Sequence, residues 1–93
     1  MFDPLLHQTI RSKLMALLAS NEELPFSALK EELEVTDGNL SSHLGKLESE
    51  GYVRIEKTFQ GKRPKTVVQI TAKGHQAFLD YIEALKQFIE ASG

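Results

Sequence analysis

Cysteine is absent from the 93-residue chain. Disulfide cross-links and thiolate metal sites are thereby excluded, and a reducing, cytoplasmic setting is expected. No apolar run approaches the roughly 20 residues that a membrane-spanning helix needs, so no membrane partner is expected. The opening MFDPLL carries no basic segment ahead of an apolar one, and no secretory leader is expected. No glycine-rich loop follows a strand and opens a helix, so no nucleotide site or other cofactor is indicated. Positive charge is also scarce: 11 lysines and arginines stand against 13 acids, a formal net charge of −2. Such a chain can bind an anionic polymer only by gathering its cations in one place.

The cations are gathered. Between Arg54 and Lys65 the chain has Arg54, Lys57, Lys62, Arg63 and Lys65 against the single acid Glu56, a local excess of four. Between Glu22 and Asp37 the balance is reversed, with Lys30 alone among six acids. At this length the chain has material for one domain, residues 1–93, with a small core.

The periodicity predicts mainly helical structure with one hairpin. Asp3 followed by Pro4 is a helix start. Leu6, Ile10, Leu14, Leu17 and Leu18 then recur at helical spacing, giving a first helix over about 4–20. Ser27 is read as the cap of a second helix carrying Ala28, Leu29 and Leu33. Thr36 caps a third, whose inward stripe is Leu40, Leu44 and Leu47, and Gly51 ends it as a left-handed residue. The close succession of the last two, over about 27–50, is a helix-turn-helix pattern. YVRIEKTF and TVVQI read as the two strands of a hairpin over about 52–70, with QGKRPK as its loop and Pro64 holding Arg63 extended. Tyr52 and Phe59, which flank the hairpin, are expected to pack in the core rather than to stack on bases. Thr71 caps a last helix over about 72–91.

That last helix carries more apolar surface than one small domain covers. The excess is assigned to contact with a second copy of the chain, through Leu6 and Ile10 of the first helix and Phe78, Tyr81, Ile82, Leu85, Phe88 and Ile89 of the last.

The third helix has a bare side. With Leu40 at zero and about 100° per residue, Leu44 and Leu47 fall within about 40° of it. Gly38, Ser42 and Gly45 fall near the opposite side, flanked by Ser41 and Lys46. A solvated face would carry Glu, Lys or Gln, which favour helix, whereas glycine there costs about 1 kcal/mol. Small residues make sense where a bulky surface approaches, and the major groove, about 12 Å wide, just admits a helix. Gly38 also leaves first-turn amides open to a phosphate oxygen. Asp37 opposes such an approach unless its carboxylate turns sideways or accepts from a base amine.

From Phe26 to Gly74 the chain resembles small bacterial and archaeal winged-helix transcriptional regulators related to the MarR and ArsR groups. TDGNLSSHL, LESEGYV, GKRPKT and ITAKG, in that order, carry the resemblance. It implies a winged helix-turn-helix fold (mainly α, with three N-terminal helices, a two-stranded wing and a long C-terminal dimerisation helix) and a homodimer on double-stranded DNA. The third helix would be the recognition helix, with Thr36, Gly38, Asn39, Ser41, Ser42 and Lys46 toward DNA. The wing would contribute Lys62, Arg63 and Lys65, with Arg63 nearest the minor groove. The chain departs from the group at Ser42 and Gly45, where a cation is common, and in lacking the cysteines of metal-sensing relatives. No residues define an effector site.

Catalysis is not expected. Ser41, Ser42 and His43 are neighbours in sequence, so on a helix their side chains diverge and form no nucleophile–base pair. His7, His43 and His75 match no compact metal motif. Two readings therefore compete: a DNA-binding regulator, in its simplest form a homodimeric repressor, and a winged-helix module that binds another protein.

Overall fold

In the computed structural model, residues 3, 5, 6 and 8–92 are described. Pro4 and His7 lie outside them. The first helix, α1, runs Thr9–Ala19, five residues later than the Asp-Pro signal implies. The reason is where Asp3 spends its oxygens. Oδ1 accepts from the Leu5 amide at 2.9 Å, and the Asp3 carbonyl accepts from Leu6 at 3.1 Å, which closes a separate turn. Oδ2 accepts from the Tyr52 hydroxyl at 2.7 Å. The capping residue is tied across the molecule, and the turn delivers Leu6 into the core, where it has no exposure.

A two-residue strand, β1 (Leu24–Pro25), precedes α2 (Phe26–Leu33). Ser27 is therefore inside the first turn of α2 and does not cap it; the cap position belongs to Pro25, in extended backbone. Two adjacent strand residues are too short a run to show alternation, so β1 is decided by its partner. α2 ends at Glu34, in the left-handed region at φ 54°. The Val35 amide then donates to the Lys30 carbonyl at 3.3 Å, a backbone closure typical of helix ends. After this turn Thr36 caps α3 (Asp37–Ser49), its Oγ1 accepting from the Asn39 amide at 3.1 Å. Gly51, at φ 82°, terminates α3 as expected. The Gly51 and Tyr52 amides donate to the carbonyls of Glu48 and Leu47, both at 2.9 Å.

β2 (Val53–Gln60) and β3 (Arg63–Ile70) pair antiparallel, from Val53 with Ile70 to Gln60 with Arg63. The loop is only Gly61–Lys62, so most of QGKRPK belongs to the strands. Gly61 at φ 65° takes the first central position, where a type II′ hairpin turn favours glycine. Pro64 is tolerated because β1 reaches only Val67 and Val68, leaving the outer part of β3 unpaired on that side. The sheet order is β1-β3-β2, three strands in place of the two expected.

α4 (Ala72–Ser92) is joined to the hairpin by one threonine. Thr71 Oγ1 accepts from the Gly74 amide at 2.9 Å and donates to the Gly51 carbonyl at 2.6 Å, while the Thr71 amide donates to the Tyr52 carbonyl at 3.0 Å. One side chain thus caps α4 and ties it to the end of α3. The core cluster joins Leu14, Met15 and Leu18 of α1, Leu29 of α2, the leucines of α3, and Val53 and Val68 of the hairpin.

Gly74 is where α4 crosses the chain at Tyr52. A Cβ there would overlap the Tyr52 carbonyl, which is backbone and cannot swing away. Gly74→Ala is expected to lower stability by about 3 kcal/mol, read as a shifted urea midpoint. A variant as stable as the parent would contradict this close approach.

Candidate nucleic-acid interface

The leucine stripe of α3 faces inward, and everything opposite it is open. Gly38, Asn39, Ser41, Ser42, Gly45 and Lys46 are all exposed. A Cβ added at Gly38 or Gly45 would meet nothing within 4 Å, so no part of the protomer explains the missing side chains. Thr36 is exposed too, but its oxygen already caps the helix. The Asn39 backbone amide is taken by that cap, while its side chain has no such role. Asp37 turns sideways: its Oδ1 lies 2.8 Å from Lys30 Nζ of α2, which draws the carboxylate away from the open face.

The hairpin projects its cations on both faces. The pairing puts Arg54, Arg63 and Lys65 on one face, with Lys57 on the other and Lys62 in the turn. Lys62 and Arg63 are exposed and Lys65 is half-buried. Arg54 spends part of its charge on Glu56, at 3.4 Å. The strand face that carries Val53 and Ile55 also carries Phe59. Phe59 is 70% exposed, which corrects the expectation that it packs in the core. The core ends before the hairpin does, so the outer third of β2 has nothing to pack on. Tyr52, by contrast, is buried as expected. Its hydroxyl is pushed up to a pKa of about 12, first by the bond to Asp3 and then by burial and the nearby carboxylates.

Of the residues assigned to a second copy, Leu6 and Tyr81 are buried inside the protomer, in the core cluster, and offer almost no surface. Ile10, Phe78 and Leu85 are half-buried. Ile82, Phe88 and Ile89 remain open, at 42, 59 and 60% exposure, together with Leu79. Ile82, Leu85 and Ile89 line a shallow apolar hollow with Lys86 and Glu90 at its edges.

Arg11 is the residue that sequence reasoning passed over. It is 5% exposed. Its spacing from Leu14 and Leu18 puts it on the buried side of α1, a signal available in the sequence. Its Nε donates to Nδ1 of His43 at 3.0 Å, and a terminal nitrogen donates to the Leu5 carbonyl at 3.2 Å. His43 is therefore neutral, with its proton on Nε2, and it anchors α3 to α1. His75 is exposed on α4, and among the described residues no cluster of three His, Asp or Glu side chains could hold a metal ion. Burial holds the His43 pKa below its ordinary 6.5, with Arg11 and Lys46 adding to the effect. The folded protein thus binds a proton here less readily than the unfolded chain does. This contribution is complete above pH 6.5 and is lost as the pH falls through the lower, folded-state value. His43→Gln, which still accepts from Arg11, is expected to lose less stability than the parent between about pH 8 and about pH 5.5. Parallel urea titrations check this, and equal losses would rule it out.

Comparison with known proteins agrees with this geometry. Residues 10–89 match the model of the winged helix DNA-binding domain family. An uncharacterised protein of Methanocaldococcus jannaschii is 44% identical over 81 residues, which make up 87% of this chain and 88% of that one. The solved structure of a transcriptional regulator homologue from Pyrococcus horikoshii matches with a TM-score of 0.89 at 34% identity, over 94% of this chain and 86% of that one. A MarR-family transcriptional regulator from Silicibacter pomeroyi shares the fold at a TM-score of 0.72 and 24% identity, over 89% of this chain and 55% of that one. By its sequence and by its architecture alike, the chain belongs to the winged helix DNA-binding domain family.

Proposed function

We propose that the protein is a sequence-specific regulator of transcription that binds double-stranded DNA as a homodimer and acts as a repressor. The observation that carries this reading is the open face of α3, where Gly38 and Gly45 meet nothing within 4 Å, beside a cationic wing. On this reading α3 lies in the major groove. Asn39 and Lys46 are the direct readers of bases, each worth about 1–3 kcal/mol of discrimination where the geometry is good. Thr36, Ser41 and Ser42 add short-range hydroxyl contacts, and the Gly38 amide, ahead of the capped Asn39 amide, approaches a phosphate. Lys62, Arg63 and Lys65 hold the backbone beside the minor groove. Repression follows from occupancy: a dimer seated on a promoter blocks access to it.

Dimerisation supplies what one protomer lacks. One short recognition helix with few base-reading side chains reads little sequence, and two on a symmetric site double the readout. The exposed apolar face of α4 supports pairing through Ile82, Phe88 and Ile89, with Leu85 beneath.

Selection from a random duplex library is expected to return a two-fold symmetric consensus. An asymmetric consensus would count against the paired arrangement, and no retained DNA would favour a protein partner. Arg63→Ala is expected to weaken binding to every duplex tested and to reduce the slope of log affinity against log salt by about 0.9 per protomer. Unchanged affinity would remove Arg63 from the interface. The double substitution Ile82→Glu with Ile89→Glu is expected to halve the mass seen by sedimentation while leaving the helical content intact. A mass unaffected by it would move the dimer contact elsewhere.

A further inference from the structure

Phe59 is the most exposed large apolar side chain among the described residues, and nothing in the protomer accounts for it. Its cross-strand neighbour is Pro64. Alternation along β2 and β3 puts both on the face that carries Val53, Ile55 and Val68 nearer the body. Between that face and α3 lies a hollow of about 370 Å³, whose lining includes Ser41, Gly45 and the acidic Glu48 of the helix, Phe26 of α2, and Ile55 and Lys57 of the hairpin; a DNA strand crossing it keeps to the Lys57 side, away from Glu48. Phe59 and Pro64 thus continue the same surface beyond the hollow, toward the tip. Lys57 precedes them on that face, Lys62 lies in the turn, and Arg63 and Lys65 back them on the other.

This arrangement has a consequence if α3 occupies a major groove and the tip meets the adjacent minor groove. One sugar–phosphate strand must then cross the surface between helix and tip. It passes Lys57 and then Phe59. A cation and an apolar ring in succession suit the two parts of that strand, the phosphate and the deoxyribose. Minor-groove proteins use apolar side chains, proline and phenylalanine among them, as uncharged contacts that insert between base steps; a ring beside the groove, short of the base stack, has the sugars as its apolar partner.

We propose that Phe59, with Pro64 beside it, is an apolar DNA contact that packs on the deoxyriboses of this bridging strand. The proposal rests on the DNA-binding reading above and adds a non-ionic component to the wing.

The chain contains no tryptophan, so Phe59→Trp creates a single indole reporter at an exposed position where folding is not at stake. The full-length variant is titrated at low salt with a fluorescein-labelled duplex pool of random sequence, and anisotropy and indole emission are followed together. Saturation by anisotropy is expected to bring a blue shift and protection from acrylamide quenching. Saturation with the indole still freely quenched would overturn the proposal while sparing the DNA-binding reading. A blue shift that depends on protein concentration without DNA would also overturn it, by assigning the ring to a contact between protomers. No anisotropy change for the parent protein at low salt would overturn both.

A second variant separates the ring from its charged neighbours. Phe59→Ala is expected to weaken binding about tenfold. Its salt slope should equal that of the parent, because removing an uncharged contact releases no counterions. Phe59→Leu should recover most of the loss. Full affinity in the alanine variant, or a reduced slope, would contradict the assignment.

Discussion

The carbonyl of Tyr52 is the point at which three elements meet. It accepts from the Thr71 amide at 3.0 Å, which closes the base of the hairpin, and the backbone of Gly74 passes directly against it. Two residues earlier, the Glu50 carbonyl accepts from Lys73 Nζ at 2.7 Å, and the same ammonium sits 5.6 Å from the Tyr52 ring centre. The phenol hydroxyl reaches the other way, to Asp3. The end of α3, the root of the wing and the start of α4 are thereby locked together through backbone and a single aromatic residue. The relative placement of α3, the wing and the apolar α4 face depends on this junction, because the hairpin has little other support at its outer end.

Within that frame α3 is asymmetric. Three leucines hold it to the core, and the Arg11–His43 bond holds its flank to α1. A buried guanidinium beside a neutral imidazole is a directional constraint: it resists rotation of the helix, which apolar packing alone resists only weakly. The opposite face is free to meet another surface. On the proposed reading these two features belong together, since a helix that enters a groove must keep its orientation without side chains that fill the approach.

Most of the elements were legible in the sequence. The leucine spacing of α3, its threonine cap and its terminal glycine act within a few residues, so they report local structure directly. The alternation in β2 and β3 did the same for the hairpin. The errors arose where a distant partner overrode a local signal. Asp3 has the chemistry of a cap, yet its carboxylate serves Tyr52 and the helix starts later. Ser27 has the chemistry of a cap, yet β1 brings extended backbone up to Pro25. Leu6 and Tyr81 lie on stripes broad enough to suggest a second copy, yet the protomer's own core takes in both. Phe59 looks like a core residue because alternation reports which face it is on, and not how far the core extends beneath that face.

The four helices, the two hairpin strands, the cationic stretch of the wing and the bare side of the third helix could all be read from the chain, because each is a matter of neighbours within a turn or a strand; β1 could not. Which of those surfaces stay open follows from the packing of the whole chain. That packing paired Asp37 with Lys30, buried Arg11 against His43, and left Phe59 beyond the edge of the core. Exposure is a property of the whole packed assembly of helices and strands, and pairs 32 or 49 residues apart, such as Arg11 with His43 and Asp3 with Tyr52, leave no periodic trace in the chain.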